Sequence, residues 1–530
     1  MSQSFVKTYN RADNLAAAIG EHAIVRPDSA AIVCGDDVTD YATMHRVSNQ
    51  VAHALRAAGL ERGDRIAYLG RDSARLYQLL IGCSIIGTVL VPINWRLTSA
   101  EVTHIITDAD CEIVFLDSAA EELAENLPPA GWNLARLIRM DRDGIPGAGF
   151  TDWIAAQPDT PPSVRTTQTD PLLQMYTSGT TGASKGVVIA QRSLFVVWDI
   201  LHQQGFEWLQ MADDDRCFVA IPGFHIAGLG WVVQGLIAGA PLFILPEFTP
   251  GRALDIIRSR SITVMCGVPV MLALILAEPG ISPADFAGLR QIAYSGSPIP
   301  EDMLVECMNS FGCDFVQFYG MTETATPLTF LPPTDHKAGS PRLRSAGFPY
   351  PGCEMAVVDP AGNRLPPGEI GEIIAHGPAP MLGYWNRPEA TADIIGADGW
   401  IHTGDAGWID QDGYVYICDR IKDMIIIGGE NIYPAEVENA IVGHPAVREA
   451  AVVGVPDDRW GETVHAFVSL LPGRTVTQRE LVLFLRDKLA SFKHPRHVEF
   501  VDYLPRNASG KILRRELRQR FWADRDRAVN

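Results

Sequence analysis

Five Ser and Thr hydroxyls, three glycines and one cation are packed into the stretch Tyr176-Thr-Ser-Gly-Thr-Thr-Gly-Ala-Ser-Lys-Gly-Val187. Glycines let backbone N–H groups converge on an anion, and the hydroxyls of Thr177, Ser178, Thr180, Thr181 and Ser184 add donors. Lys185 supplies a compact point charge suited to phosphate. With Gly179, Gly182 and Gly186 opening the backbone, the loop reads as a cradle for nucleotide phosphates. Two other readings stay open on these residues alone. Gly/Ser/Thr clusters are commonly surface loops. Gly182-Ala-Ser184-Lys-Gly186 also fits the G-x-S-x-G spacing of a hydrolase nucleophile elbow, which would make Ser184 a nucleophile. That elbow needs a helix directly after it, whereas Val187-Val-Ile-Ala190 is apolar and β-branched and predicts a strand. A Walker A loop is excluded, because Lys185 is followed by Gly186 rather than Ser or Thr.

The elements that would position this loop alternate along the chain. Arg65 to Leu69, Val89 to Asn94, Glu112 to Leu116, Cys217 to Ile221, Leu242 to Leu245, Ile262 to Gly267 and Phe315 to Tyr319 predict strands. Arg46 to Leu60 and Leu254 to Arg260 carry helical spacing, with Val47, Val51 and Leu55 on one face. Such alternation predicts an α/β domain of layered, largely parallel sheets from about residue 20 to 345. After 345, turns such as Pro351-Gly352, Asp398-Gly399 and Asp412-Gly413 predict a compact β subdomain. Strands over Val447 to Val455 and Thr463 to Leu471 and a helix over Gln478 to Leu489 predict a small α+β C-terminal domain with a basic end (Arg514, Arg515, Arg518, Arg520).

Bulk properties narrow the function. A chain of 530 residues exceeds one ordinary domain. A net charge of −19 argues against nucleic acid as a partner. The nine cysteines form no Cys-x-x-Cys pair and no zinc spacing, as expected of reduced, mostly buried thiols. Met1 to Gly20 lacks the apolar core of a signal peptide, and the run Leu79 to Ile93 is shorter than the roughly 20 residues of a membrane span. That run predicts a buried helix feeding a core strand, and the expected location is cytoplasmic.

Four further motifs follow the loop in order: Tyr319-Gly-Met-Thr-Glu-Thr324; Gly399-Trp-Ile-His-Thr-Gly-Asp405; Asp419-Arg-Ile-Lys-Asp423 running into Gly428-Gly-Glu-Asn-Ile-Tyr-Pro-Ala-Glu-Val-Glu438; and Pro505-Arg-Asn-Ala-Ser-Gly-Lys-Ile512. This ordered set resembles the adenylate-forming enzymes, which include acyl-CoA synthetases, firefly luciferase and the adenylation domains of peptide synthetases. Within them the chain looks most like fatty-acid and aryl-acid CoA ligases. The resemblance implies a two-step reaction in which a carboxylate attacks the α-phosphate of ATP and coenzyme A then displaces AMP. It implies an N-terminal adenylation domain over 1–420 and a mobile C-terminal domain over 421–530, hinged near Lys422.

The implied roles fall on matching residues. Thr177, Ser178, Gly179, Thr180, Thr181, Gly182 and Lys185 would cradle the β- and γ-phosphates. Thr322 would meet the α-phosphate and Glu323 would ligate Mg2+, a hard cation content with one carboxylate plus phosphates. Tyr319, with Gly320 and Met321 after it, and the turn Gly296-Ser297-Pro298 would form the adenine slot. Relatives usually carry Gly-Gly-Ala or Gly-Gly-Glu where this chain has Ser295-Gly296-Ser297. Asp405 would accept the ribose hydroxyls, and Arg420 would make a second ribose or phosphate contact. Lys511 would stabilise the charge developing at the α-phosphate, and Gly428 and Gly429 would face coenzyme A. An acetyltransferase acting on Lys511 is an expected regulator, since acetylation removes that charge.

Acyl specificity is expected from Phe224 to Trp231, from Tyr294 to Gly296, and from Gly320 and Met321. Amino-acid-activating relatives carry aspartate where this chain has His225, so a hydrophobic acid without an amino group is expected: fatty, aryl or alicyclic. His225 would sit at the gate or carboxylate side of that pocket. Alternatives are an acyl-AMP ligase that loads a carrier protein, and a hydrolase using Ser184. The expected partners are the acid, ATP and coenzyme A, with the protein a monomer or homodimer.

Overall fold

The computed structural model describes residues 14–125, 136–141, 149–177, 184–206, 211–297, 299–427, 430–457, 459–506 and 512–522. The chain forms two compact units. One comprises Met1–Leu343, Gly347–Glu354 and His376–Ile401. The other comprises Arg344–Ala346, Met355–Ala375 and His402–Asn530.

The first unit is built on two mixed sheets. The larger runs in the order Phe348–Pro349, Pro327–Leu331, Asp314–Gly320, Gln291–Tyr294, Val264–Gly267, Cys217–Val219, Leu242–Ile244, Ala30–Cys34 and Asp37–Asp40. Its strands from Asp314–Gly320 to Ala30–Cys34 are parallel, and antiparallel partners close both edges. The second runs Gly383–Tyr384, Lys185–Ala190, Pro171–Thr177, Val89–Ile93, Arg65–Leu69, Cys111–Leu116 and Leu137–Arg139. Interior strands such as Val89–Ile93 are buried along their whole length, which is why they read as unbroken apolar runs rather than alternating ones.

The helices follow from local signals and packing. Helix Tyr41–Ala57 starts at Asp40, whose Oδ1 accepts the Thr43 N–H at 2.7 Å. Its face of Met44, Val47, Val51 and Leu55 is buried. The apolar run expected to be a buried helix is Ala74–Ile86, ending at Gly87 ahead of the Val89–Ile93 strand. Gly82 lets this helix lie against Tyr41–Ala57: a Cβ at Gly82 would fall 2.5 Å from Val51 Cγ1. Among the described residues no helix is long and apolar enough to cross a membrane. None of the nine cysteines is paired, and five are buried.

The second unit holds the expected β subdomain, a four-stranded sheet in the order Glu354–Val358, Gly371–His376, Ile401–Ile409, Val415–Arg420. It also holds a five-stranded sheet of Glu430–Ile432, Ile425–Ile427, Gly461–Leu470 and Val447–Asp457, with His497–Phe500 pairing parallel to Gly461–Leu470. Helices Pro434–Val442 and Gln478–Leu485 pack Val437, Ile441, Leu481 and Leu485 into that sheet's core. The large α/β domain with mixed sheets and the small α+β C-terminal part are thus both present.

The close helix contact is directly testable. Gly82→Val overfills it, and a cost of about 1–3 kcal/mol is expected, read as a lower thermal midpoint. An unchanged midpoint would show that the two helices are not held this close.

Candidate functional site

The two strands that flank the expected phosphate loop in sequence pair with each other. Strands Pro171–Thr177 and Lys185–Ala190 are antiparallel, and Thr177 stands opposite Lys185. Ser178, Gly179, Thr180, Thr181 and Gly182 lie outside the described residues, as do Pro298, Gly428, Gly429 and Lys511. Ser184 leads directly into a strand, with no helix after it. The strand-turn-helix geometry of a nucleophile elbow is therefore absent, and the hydrolase alternative loses its structural basis.

The remaining first-unit residues gather at the carboxyl ends of neighbouring strands in the larger sheet. Val264–Gly267, Gln291–Tyr294 and Asp314–Gly320 are adjacent and parallel, and Cys217–Val219 flanks Val264–Gly267. The segments that follow them carry His225, Gly296 and Ser297, and Met321 to Glu323. Crevices outside the carboxyl ends of strands are where open α/β sheets bind ligands. Gly296 has φ +87, which a side chain would strain. Tyr319 and Met321 are half-buried, and Gly320 is exposed.

Thr322, Glu323 and Thr324 form a single 3-10 turn. The Thr324 hydroxyl pins it, donating to the Met321 carbonyl (2.8 Å) and accepting the Met321 N–H (3.1 Å). Thr322 is half-buried at the start of the turn, and Glu323 is 8% exposed. Glu323 Oε1 accepts the Tyr384 hydroxyl at 2.7 Å, which leaves Oε2 for a further ligand. Among the described residues no group of three or more His, Cys, Asp or Glu could hold a metal. A cation at Glu323 would draw its other ligands from phosphate and water, as suits Mg2+.

Tyr384 was not singled out by sequence reasoning. It lies in the short strand Gly383–Tyr384, paired with Val187 and Val188 of the phosphate hairpin. Lys185 Nζ stands 5.0 Å from its ring centroid. The motif signals did not point to it, since its partners are far away in sequence.

His225 caps helix Ile226–Ala238, and its Nε2 is buried with no hydrogen-bond partner among the described residues. Burial, aided by the charge of Arg96, pulls its pKa down to about 4, so the imidazole is neutral at pH 7. The segment before it is held by Asp72, also missed from sequence. Both Asp72 oxygens accept the Gly223 N–H at 2.9 Å. Asp72 is 4% exposed, and burial pushes its carboxyl up to about 7.

Two of the residues expected at the acyl pocket turn out to be packed elsewhere. The Tyr294 side chain is fully buried in the second apolar core, with its hydroxyl 3.0 Å from His336 Nε2 and 3.2 Å from Gln317 Oε1. Leu229 is buried in the first core.

In the second unit, Asp405 and Arg420 are paired across adjacent strands. Arg420 Nε lies 2.7 Å from Asp405 Oδ1, and its Nη1 donates to the Thr403 carbonyl at 3.1 Å. Asp405 is 4% exposed. Lys422 is exposed in the 3-10 turn Ile421–Asp423, between the two sheets of this unit. The helix Arg514–Gln519, just beyond Lys511, is tied to this region. Arg514 donates to both oxygens of Glu438 (3.0 and 2.6 Å), and Arg518 lies 3.7 Å from Asp423.

Comparison with known proteins fits this geometry. The family model described as AMP-binding enzyme matches residues 20–385, and that described as AMP-binding enzyme C-terminal domain matches 436–511. A fatty acid–[acyl-carrier-protein] ligase of Streptomyces coeruleorubidus is 48% identical over 510 residues, covering 96% of each chain. A feruloyl-CoA synthase of an Amycolatopsis species is 40% identical, covering 94% of this chain and 97% of its own. The crystal structure of ATP-bound MatB from Rhodopseudomonas palustris superposes with a TM-score of 0.86 at 32% identity, covering 96% of this chain and 99% of that one.

Asp72 gives the site a pH signature. Its folded pKa of about 7 exceeds the ordinary carboxylate value of about 3.9. The folded state therefore holds a proton that the unfolded chain has lost. Stability from this group is full below about pH 4 and is lost as pH rises through about 7. Asp72→Asn removes that loss, so its melting temperature relative to the parent should climb between pH 4 and 7 and level off above. A difference constant with pH would place the Asp72 charge in a solvated setting.

Proposed function

Because the chain belongs to the AMP-binding enzyme family, we propose that it is an ATP-dependent acid–thiol ligase. In this reading it activates a hydrophobic carboxylic acid as acyl-AMP and passes the acyl group to a phosphopantetheine thiol. The observation that carries the proposal is Tyr384, which bonds Glu323 and lies against Lys185, beside the carboxyl ends of strands one of which leads to the neutral His225.

In the first step an oxygen of the substrate carboxylate attacks the α-phosphorus of ATP. The bond from that phosphorus to the bridging oxygen breaks, and pyrophosphate leaves. Both reactants are anions, so catalysis is chiefly positioning and charge stabilisation. The Thr177–Lys185 loop would hold the β- and γ-phosphates, Thr322 would meet the α-phosphate, and Lys511 would offset its developing charge. Glu323 would hold Mg2+, which neutralises phosphate charge when bound. Tyr319, Gly296 and Ser297 would seat the adenine, and Asp405 with Arg420 the ribose. In the second step the thiol sulfur attacks the acyl carbon, the bond to AMP breaks and the thiol proton passes to solvent. Residues 421–530 would swing about Lys422 between the steps, bringing Gly428 and Gly429 to the thiol path in place of Lys511. The exposed turn at Lys422 between two sheets supports that hinge.

A fatty acid is the favoured substrate, and carrier-borne phosphopantetheine the favoured acceptor, supported by the 48% identity to a fatty acid–carrier-protein ligase across 96% of both chains. Free coenzyme A is the second reading, supported by the 40% identical feruloyl-CoA synthase. His225 supports an acid without an amino group, since a neutral imidazole offers no charge to an ammonium.

Purified protein with ATP, Mg2+ and a panel of fatty, aryl and alicyclic acids should release pyrophosphate in an acid-dependent way. The thioester should appear with holo-carrier protein, and its appearance with coenzyme A instead would establish the second reading. Lys511→Ala should cut pyrophosphate release by about 100-fold or more while still converting supplied acyl-AMP to thioester. Ester hydrolysis without ATP, and no pyrophosphate with any acid, would overturn the ligase assignment.

A further inference from the structure

We propose that Tyr384 is a positioning residue that aims the Glu323 carboxylate and seats Lys185, so that one side chain sets the cation-side and phosphate-side groups relative to each other. This rests on the nucleotide-phosphate reading of the site given above.

Glu323 and the phosphate hairpin belong to different sheets. Glu323 follows the larger sheet's Asp314–Gly320 strand, and Lys185 opens a strand of the other. The short segment 381–385 joins them. Its Met381 N–H donates to the Glu323 carbonyl at 2.9 Å. Its Leu382 and Trp385 N–H groups donate to the Val188 and Gly186 carbonyls, both at 2.7 Å. Tyr384 is thereby fixed from both sides, and its own N–H donates to Thr391 Oγ1 at 2.9 Å. The next residue anchors the strap further: Trp385 Nε1 donates to the Asp108 carbonyl at 2.9 Å, and the Arg65 guanidinium lies 3.3 Å from its ring centroid.

Within this frame the Tyr384 ring is 8% exposed and its hydroxyl donates to Glu323 Oε1. A carboxylate on three rotatable bonds would otherwise sweep a wide arc. The hydroxyl fixes its plane and leaves Oε2 for a cation. The ring's negative face meets the Lys185 ammonium. Partners that orient a ligating carboxylate typically contribute about 10–100-fold to metal affinity.

The test is Mn2+ binding followed by electron paramagnetic resonance, with the full chain and a non-hydrolysable ATP analogue blocked at the α,β-bridge. Tyr384→Phe, which removes only the hydroxyl, should raise the Mn2+ half-saturation about tenfold or more and leave metal-free nucleotide affinity unchanged. In pyrophosphate release the same variant should need more Mg2+ for half-maximal rate, with the acid KM unchanged. Combining it with Glu323→Gln should add nothing beyond Glu323→Gln alone. Thr391→Val, which loosens the strap but keeps the hydroxyl, should bind Mn2+ as the parent does. A Tyr384→Phe protein that binds Mn2+ normally would overturn the proposal and leave the phosphate site standing. So would a Thr391→Val protein with the same defect, since strap stability would then be the cause. A parent protein that binds neither the nucleotide nor Mn2+ would instead bring down the site assignment on which the proposal rests.

Discussion

The hydrogen bond from Tyr384 to Glu323 closes the gap between two sheets that otherwise have separate chemistry. One sheet holds the antiparallel strands Pro171–Thr177 and Lys185–Ala190, whose connecting sequence is rich in hydroxyls and glycines. The other ends in a carboxylate and the turns that flank it. Anionic phosphates and a carboxylate substrate repel, and at about 4 Å apart in a medium of effective dielectric 20 two like charges cost about 4 kcal/mol. A site that brings them together must fix its cations and donors in advance. Loops alone do this poorly. Here the Glu323 turn is locked by the Thr324 hydroxyl, and the hairpin is locked by its register. The strap 381–385 bonds to both and carries Tyr384 between them.

The second unit meets the same problem with buried charge. Arg514 and Glu438 form a bidentate pair, with Asp419 Oδ1 3.8 Å from the guanidinium. Asp419 also accepts the Ala435 N–H at 2.7 Å, and Glu438 accepts the Val452 N–H at 2.7 Å. Burial pushes both carboxyls upward in pKa, and Arg514 opposes it. Such a network is costly to desolvate and becomes worse when half-satisfied, so it specifies one arrangement. It joins residue 419, at the entrance to the Lys422 turn, to the helix that follows Lys511.

Much of this could be read from the residues in advance, for a physical reason. Phosphate chemistry needs donors and glycines close together in sequence, so the Thr177–Lys185 stretch stands out as a candidate on its residue types, whereas Thr322 and Glu323 enter only through the family resemblance. Alternating strands and helices were legible because interior parallel strands are apolar throughout. Helix ends were less so: Tyr41–Ala57 begins five residues ahead of the expected start, because Asp40 caps a polar first turn that apolar spacing does not register. Tyr294 was placed at the pocket, and its ring points into the core. A strand buried on both faces has no polar alternation to say which side is which. Tyr384 and Asp72 were invisible because each acts across the fold, 61 residues from Glu323 and 151 from Gly223.

Charge distribution bears on which thiol would suit the proposed second step. Residues 421–530 contain 17 Lys and Arg against 15 Asp and Glu, a net +2, so the overall −19 leaves −21 on the residues before them. Several of these cations are already committed, Arg514 to Glu438 and Lys493 to Glu436 among them. Arg479 and Arg486 stand seven residues apart, two helical turns, with the 44%-exposed Leu483 between them on the same face of Gln478–Leu485 and its end. A positive region on an acidic protein draws polyanions by long-range attraction and repels them elsewhere, raising encounter rates more than affinity. The phosphates of coenzyme A and an acidic carrier surface would both respond to it. They differ in reach, because free coenzyme A needs only a channel, whereas a carrier protein needs a face with apolar contact as well as charge. Leu483 flanked by Arg479 and Arg486 has that mixed character.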